Sequence, residues 1–284
     1  MQGFSSDVLV LRAVEHGACD KLLTLISAER GRFYAILKGG HSTRNREAAA
    51  TEPYTLSNME FYEKNGFKWV KNATAIEPFA GIRYDSEKLF LAAYFADVVY
   101  ELSDEHTAAG EILPLCLNAL FALSGEAEDN DRIKAAFEMR AATISGFAPD
   151  LHGCMHCGGA IGELAYLDVM NGALCCPQCL HRATALAPLP EVSDLGERTV
   201  LCPLTASAAA ALAFVAETAP KRIFSFRLTE KKTRNLFVRA AEAYLLHHLG
   251  RGFASLDNYK RLVAIRTQML AKQKKPENTG EAPQ

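Results

Sequence analysis

The chain has 284 residues, of which 49% are hydrophobic and 23% charged, and its formal net charge is −2 at pH 7. This composition is typical of a soluble globular protein with two or three domains, and it excludes a chain that is disordered throughout. The longest apolar runs, 112–123 and 201–216, both contain proline and are shorter than the roughly 18 residues that a membrane span needs. We therefore expect no membrane segment.

Charge is unevenly distributed along the chain. Residues 85–150 contain 13 acidic side chains and 4 basic ones, whereas residues 201–284 contain 14 basic and 6 acidic ones. Basic ends around an acidic middle can offer a polyanion one favourable surface if the ends meet in space. Helix faces whose charges balance in three dimensions would explain the same pattern, so the pattern alone does not distinguish a polyanion-binding surface from such faces.

Residues 1–80 have the alternation and turn residues of a β domain. Lys64-Asn65-Gly66 is a strong hairpin signal, because Asn and Gly both accept positive φ. Five strands of this length predict a small closed barrel of the OB-fold type. The predicted strands are Val8–Leu11, Lys21–Ile26, Arg32–Leu37, Tyr54–Tyr62 and Phe67–Ile76.

Basic residues of this barrel are the candidates for nucleic-acid contact, since phosphates are bound by flexible or turn-borne cations. Phe67 and Trp69 could stack on bases, but we expect them to fill the barrel interior, because Lys68 between them should face the other side. The candidate DNA-binding residues are Arg30, Arg32, Lys38, Arg44, Arg46, Lys68 and Lys71.

After Pro78 the pattern becomes helical, which predicts an α+β protein with an all-helical body in two parts, 81–149 and 185–271. Gly146 and Pro149 end the first part. The polar residues 272–284 are expected to be disordered. The predicted helices are Lys88–Leu102, Glu111–Leu123, Asp131–Ser145, Thr205–Ala216, Glu230–Leu249 and 256 to about 271.

Between the two helical parts, residues 150–184 contain two cysteine pairs, Cys154-Met-His-Cys157 and Cys176-Pro-Gln-Cys179, with 18 residues between them. Two C-x2-C turns can direct four thiolates at one zinc ion. Four protein ligands leave no open position for water, so we predict one structural zinc in a small ribbon and no catalytic metal.

Two alternatives concern these cysteines. Cys175 directly precedes Cys176 and would give a looser C-x3-C pair; we assign Cys176 because both pairs then have the same spacing. Eight cysteines also allow disulfides. The first residues lack the basic and apolar regions of a secretory signal, so we expect a reducing cytoplasmic location and free or metal-bound thiols.

The start of the predicted helix at 230–249 is basic, although the helix dipole disfavours cations there. A bound phosphate or carboxylate would relieve this unfavourable interaction at Lys231, Lys232 and Arg234. Arg140, on an earlier helix, is a further candidate for binding such an anion. Solvated lysines are the competing interpretation. We find no phosphate-binding loop, dinucleotide fingerprint or hydrolase motif, and therefore predict a protein that is not an enzyme.

In this order, the segments of the chain resemble the RecO family of bacterial DNA recombination and repair proteins. The segments that carry the resemblance are Ala18–Ile26, Glu29–Arg32, Lys38–Gly40, Phe137–Arg140, Ser145–Asp150, the four paired cysteines, Tyr244–Gly250 and Ser255-Leu256.

The resemblance implies a mediator with an N-terminal OB-fold, a helical body and a zinc-binding insert, located in the cytoplasm at the nucleoid. Such proteins bind single- and double-stranded DNA, anneal strands, contact the acidic tail of single-strand-binding protein and act with RecR to load RecA. Two departures stand out: the loop 39–46 is less basic than is usual in the family, and residues 85–150 are acidic.

Two other classes of function remain open. A zinc-stabilised scaffold for protein interactions would need no nucleic acid, and a hydrolase could use carboxylates of the acidic helices. The salt dependence of binding to a single-stranded oligonucleotide discriminates between them and a DNA-binding mediator.

Overall fold

The computed structural model describes residues 3–40, 47–125, 129–184 and 201–273. Its strands are β1 Gly3–His16, β2 Asp20–Ser27, β3 Gly31–Leu37, β4 Leu56–Lys64, β5 Phe67–Glu77, β6 Asp150–Cys154, β7 Leu164–Asp168, β8 Ala173–Cys175 and β9 Leu201–Thr205. Its helices are α1 Ser86–Leu102, α2 Ile112–Ser124, α3 Asn130–Ile144, α4 Pro177–Thr184, α5 Ala206–Glu217, α6 Lys231–Leu249 and α7 Ala254–Gln273.

The first five strands form a closed barrel in the order β1-β2-β3-β5-β4, which confirms the predicted fold of this region. Asn65 and Gly66 both have positive φ in the β4–β5 turn, as the hairpin signal requires. The barrel has its own apolar core, formed by Val8, Val10, Leu23, Leu25, Phe33, Ala35, Leu37, Met59, Phe61 and Val70.

The prediction that Phe67 and Trp69 fill the barrel is wrong for both residues, since neither belongs to its core and Phe67 is 60% exposed. Val70 is the residue of β5 that enters the core. Because side chains alternate along a strand, Trp69 next to it and Phe67 three positions away point to the outer face. Trp69 is half-buried there.

Six helices pack around a second and larger core, in which α3 and α6 are central. The structure confirms the predicted order of helices, with ends that differ by only a few residues. Asp85 caps α1 by accepting from the backbone N–H groups of Glu87 and Lys88, and Gly250 ends α6 at a φ of 63°. Among the described helices, none is long and apolar enough to cross a membrane.

The cysteine segment contributes β6, β7 and β8 to a four-stranded sheet of order β6-β8-β7-β9. In the chain, α4 follows β8 and precedes β9. The sequence did not predict β9, which lies just before α5 in the part assigned to the helical body. Among the described strands β9 is an edge strand paired with β7, and this position accommodates Pro203 without losing a central hydrogen bond.

The barrel is held against the helical body by its β2–β3 turn. Gly31 has a φ of 61°, and a Cβ there would lie 2.0 Å from the carbonyl oxygen of Thr107 and 2.6 Å from that of Asp104. The backbone N–H of Ala109 donates to the carbonyl of Ala28 at 3.0 Å. The loop after α1, residues 103–110, therefore lies directly on the turn.

Candidate metal centre and nucleic-acid interface

The two cysteine pairs meet at one end of the small sheet. Cys154 ends β6 and Cys157 lies in the following turn, while Cys176 and Cys179 lie immediately before and inside α4. Their four Sγ atoms all lie within 4.8 Å of one another, and those of Cys157 and Cys176 are 4.0 Å apart. A tetrahedron with zinc–sulfur bonds of about 2.3 Å has edges of roughly 3.8 Å, so this spacing suits zinc.

Hydrogen bonds from the backbone favour thiolates in this cluster. The N–H of Cys176 donates to Cys154 Sγ at 3.3 Å. Burial of Cys154 opposes its ionisation, but backbone N–H groups of Cys176, His156 and Cys157 outweigh burial and lower its pKa to about 5. Hydrogen bonds with the sulfurs of Cys176 and Cys157 raise the pKa of Cys179 to about 12.

Four sulfur atoms at these distances cannot all carry a negative charge unless a cation lies between them. The four cysteines thus have the chemistry and spacing of a site for one structural zinc ion, with every coordination position filled by protein. The ion would stabilise the folded insert, and it would have no coordination position left for a substrate.

Cys175 lies outside this cluster. Its side chain is buried, its thiol donates to the carbonyl of Cys176, and burial raises its pKa to about 11. All eight cysteines are free thiols, so the disulfide alternative has no support.

Four of the candidate DNA-binding residues, Arg30, Lys38, Lys68 and Lys71, lie at turns or strand positions with access to solvent. Lys71 is paired with Glu60 at 3.2 Å. The guanidinium of Arg30 lies 3.9 Å from the ring centroid of Phe4. Arg44 and Arg46 lie outside the described residues.

Arg32 differs from the expectation, because the barrel–body contact already uses its guanidinium. Nε donates to the carbonyl of Ser103 at 3.1 Å, an Nη group donates to Tyr34 Oη at 3.1 Å, and the guanidinium lies 4.0 Å from the ring centroid of Tyr100. A structural contact of this kind leaves the Arg32 guanidinium little capacity for a phosphate.

The sequence reasoning missed the tyrosines at this contact. The phenol oxygens of Tyr34 and Tyr100 are 3.0 Å apart. That hydrogen bond is the largest cause of a raised pKa for Tyr34 and a lowered pKa for Tyr100, with Arg32 and Arg12 further lowering the pKa of Tyr100. The strand alternation around Tyr34 was the available signal, since its neighbours in β3 are buried and it is not.

At the basic start of α6, some of the cations are paired with carboxylates and others are not. Lys231 and Lys232 are exposed, and neither forms an ion pair within the described ranges. Arg234 is paired with Asp129 at 3.0 Å. Arg140 does not belong to this patch: its side chain is 11% exposed and donates to Glu111 at 2.6 Å and to the carbonyl of Ala216. It bridges helices, so we no longer include it as an anion-binding candidate.

A buried ionic network joins four helices and was not predicted. Lys134 Nζ donates to both carboxylate oxygens of Glu138 at 3.0 Å and to Glu242 at 2.8 Å. Tyr94 Oη donates to Glu138 at 2.9 Å, and Lys260 contacts Glu242 from α7. Burial raises the pKa of Glu138 to about 7, although Lys134 acts in the opposite direction.

Comparisons with known proteins agree with this architecture. Residues 1–79 match the family model described as Recombination protein O N terminal, and residues 83–257 match Recombination protein O C terminal. The chain is 26% identical over 258 residues to the DNA repair protein RecO of Acetivibrio thermocellus, across 91% of this chain and 96% of that protein. It is 31% identical over 251 residues to the DNA repair protein RecO of an Anaeromyxobacter species, across 87% and 91% respectively. With a barrel at residues 3–77 and a helical body that carries four clustered cysteines, the chain belongs to the RecO family of DNA repair proteins.

Proposed function

We propose that this protein is a DNA-binding mediator of recombinational repair that acts without catalysing a chemical step. It binds single- and double-stranded DNA through the barrel, anneals complementary strands and, with RecR, helps to load RecA onto strands coated by single-strand-binding protein. The names of its relatives support a role in DNA repair, and the resemblance of its motifs to the family supports the finer steps.

The observation that carries the proposal is the outer face of the β4–β5 hairpin. Phe67 projects into solvent with 60% of its side chain exposed, and its cross-strand partner is Lys64. One exposed ring is not unusual in itself, but here the ring lies beside a lysine on a barrel, where a base could stack on it. An exposed ring among lysines is the arrangement that binds single strands, in which bases stack and cations neutralise phosphates.

The buried network does not offer a catalytic acid to a substrate. Glu138 has the raised pKa that general acids use, but it is fully buried and already bound to Lys134 and Tyr94. No substrate can reach it while the helices are packed.

The test is a salt titration of binding to a labelled oligothymidylate. We expect log K to fall linearly with log salt, by about 0.7 units for each phosphate contact on a single strand. A triple substitution of Arg30, Lys38 and Lys68 by glutamine should weaken binding and flatten this slope, while Phe67→Ala should weaken binding and leave the slope nearly unchanged. An unchanged slope in the triple variant would exclude Arg30, Lys38 and Lys68 as phosphate contacts.

For partners, we propose that the basic start of α6, at Lys231 and Lys232, binds the acidic tail of single-strand-binding protein. Exposed cations and the free N–H groups of a helix start suit carboxylates. Binding of a labelled acidic peptide ending in Pro-Phe should weaken severalfold in a Lys231→Ala, Lys232→Ala variant. Full binding by that variant would place the tail elsewhere.

One observation favours the alternative of an interaction scaffold without DNA binding. Beside the start of α1, the side chains of Ile265 and Met269 on α7 are 44% and 60% exposed and line a groove of about 340 Å3 together with Leu262. Exposed apolar residues at helical spacing are typical of protein interfaces. The oligonucleotide titration separates the two functions, because a scaffold would show no binding at any salt concentration.

A further inference from the structure

A small cleft opens where one end of the barrel meets the loop after α1. Its volume is about 200 Å3, and its lining residues come from the β2–β3 turn, β3, β5 and the loop. They are Glu29, Arg30, Phe33, Lys68 and His106. The cleft therefore combines two cations, an imidazole and a single carboxylate above a buried phenyl ring.

The two cations of this cleft lie against aromatic rings, and although Glu63 is opposite Lys68 in the β4–β5 hairpin, the described residues show no ion pair between them. Neither Arg30 nor Lys68 forms an ion pair in the part of the chain that the structure describes, whereas Lys71, three positions along β5, is paired with Glu60. Arg30 lies over the ring of Phe4, and Lys68 Nζ is 6.0 Å from the ring centroid of Phe33. A guanidinium that stacks by its face keeps the N–H groups of its edge available to an anion.

The walls of the cleft are fixed before any ligand arrives. The backbone N–H of Arg30 donates to Ser27 Oγ at 3.2 Å, which holds the β2–β3 turn. The same turn is held to the loop of His106 by two backbone hydrogen bonds, from the N–H of Arg32 to the carbonyl of Asp104 at 3.1 Å and from the N–H of Ala109 to the carbonyl of Ala28 at 3.0 Å. A site held in this way loses little conformational entropy when it binds.

The charge and size of the cleft favour a phosphate group with two negative charges. The two cations of the lining, Arg30 and Lys68, outnumber its one carboxylate, that of Glu29, and their guanidinium and ammonium groups offer several N–H donors. A phosphomonoester carries about −1.5 to −2 charges at neutral pH and three strong acceptor oxygens, whereas a backbone diester carries one charge and two free oxygens. The volume admits a phosphate and part of its sugar but not a base pair.

We propose that this cleft binds the terminal phosphomonoester of a DNA strand, so that the barrel distinguishes a phosphorylated strand end from continuous backbone. The inference rests on the proposed DNA binding and adds a preference for one kind of DNA to it.

The test is competition against a labelled single strand by unlabelled oligonucleotides of one sequence with a 5′-phosphate, a 3′-phosphate or only hydroxyl ends. At least one phosphorylated strand should compete about tenfold more strongly than the hydroxyl strand, which is the size expected from one set of charge-assisted hydrogen bonds. A double variant with Arg30→Gln and Lys68→Gln should lose this preference. Lys71→Gln, on the same strand but outside the cleft, should keep it.

Equal competition by all three strands overturns the inference and leaves DNA binding intact, and so does a preference that survives in the double variant. If no strand binds, the proposed function fails as well, and thymidine 5′-monophosphate then gives a separate result for the cleft. It should raise the melting temperature of the parent protein more than inorganic phosphate does, because only the nucleotide also offers a sugar to the cleft, and thymidine should not raise it. No shift with the nucleotide, or an equal shift with inorganic phosphate, rejects a strand-end site.

Discussion

Lys134 illustrates how strongly one buried charge depends on its partners. Its ammonium group is 2% exposed and lies between the carboxylates of Glu138 and Glu242. Burial opposes its charge, but the two carboxylates outweigh burial and raise its pKa. A buried ion pair adds little net stability, whereas removal of one member leaves the other charge uncompensated.

We therefore predict that Lys134→Met lowers the free energy of unfolding by about 3 kcal/mol, because Glu138 then lacks its cation. Lys260→Met removes the exposed end of the same network, 48% exposed, and should cost less than about 1 kcal/mol. Urea denaturation of both variants measures the difference. Equal losses would show that the buried end is no more important than the surface contact.

The raised pKa of Glu138 predicts a pH dependence of stability. Its pKa is about 7 in the folded protein and 4.5 in a free side chain, so the folded state binds this proton more tightly. Its contribution to stability is therefore fully present below about pH 4.5 and is lost as the pH rises through 7. The stability of the parent relative to Glu138→Gln should fall between pH 5 and pH 8. A difference that is constant over this range contradicts the shift.

At the level of elements, the contact between barrel and body depends on a glycine. We predict that Gly31→Ala costs more than about 2 kcal/mol, because the residue has positive φ and its Cβ would collide with two backbone carbonyls. Gly17→Ala is the matched control, since Gly17 has a φ of 64° with no atom within 4 Å of its Cβ position. It should cost about 1 kcal/mol. Thermal unfolding of the two variants compares the values.

The cysteine segment allows a similar comparison of neighbouring residues. Purified protein should contain about one zinc per chain, and Cys176→Ser should lose most of it, since thiolates are the ligands that hold structural zinc. Cys175→Ser should retain the metal, because Cys175 lies outside the cluster. Elemental analysis measures both. Retention of zinc by Cys176→Ser together with its loss in Cys175→Ser would reverse the assignment.

The elements that the sequence predicted are those with strong local patterns. A few consecutive residues determine the geometry of each: the Asn65-Gly66 hairpin, the helix end at Gly250 and the paired C-x2-C turns. The direction of Phe67 and the strand β9 could not be predicted in the same way. Both depend on register and pairing with residues distant in sequence, which alternation and propensity do not encode.

The candidate site shows the same division at finer scale. Each C-x2-C pair is a short sequence motif, so the clustering of the four cysteines could be predicted. The loss of Arg32 and Arg140 as candidates could not, because each is bound by a carbonyl from another element, Ser103 for Arg32 and Ala216 for Arg140. Basic residues in a sequence do not reveal which of them the fold has already used.

Across the whole molecule, ion pairs connect the acidic middle segment of the sequence with its basic ends. Acidic residues of the middle segment bind basic residues of the two ends: Asp97 pairs with Arg12, Asp129 with Arg234, Glu101 with Arg251 and Glu87 with Arg266. These four pairs balance part of the excess of nine negative charges in residues 85–150, in the direction that the second interpretation of the charge pattern held.

This pairing predicts which cations matter for DNA. Arg251→Gln removes a charge that Glu101 already balances, so the salt slope of oligonucleotide binding should not change. Lys68→Gln removes an unpaired charge at the barrel and should reduce the slope by about 0.7 for a single strand. The two slopes, measured over the same salt range, check the claim. An equal change in both would mean that pairing does not select the contacts.

The position of β9 has a consequence for the order of folding during synthesis. The chain leaves the ribosome from its N-terminus, so all four clustered cysteines and three strands of the small sheet are available once α4 has been made. The fourth strand, 201–205, comes later and leads directly into α5, where Thr205 caps the helix and shares a hydrogen bond with Thr233 of α6. If the four cysteines bind a metal ion, the nascent segment can bind it before the fourth strand is made, and the finished sheet then offers a surface on which α5 and α6 pack.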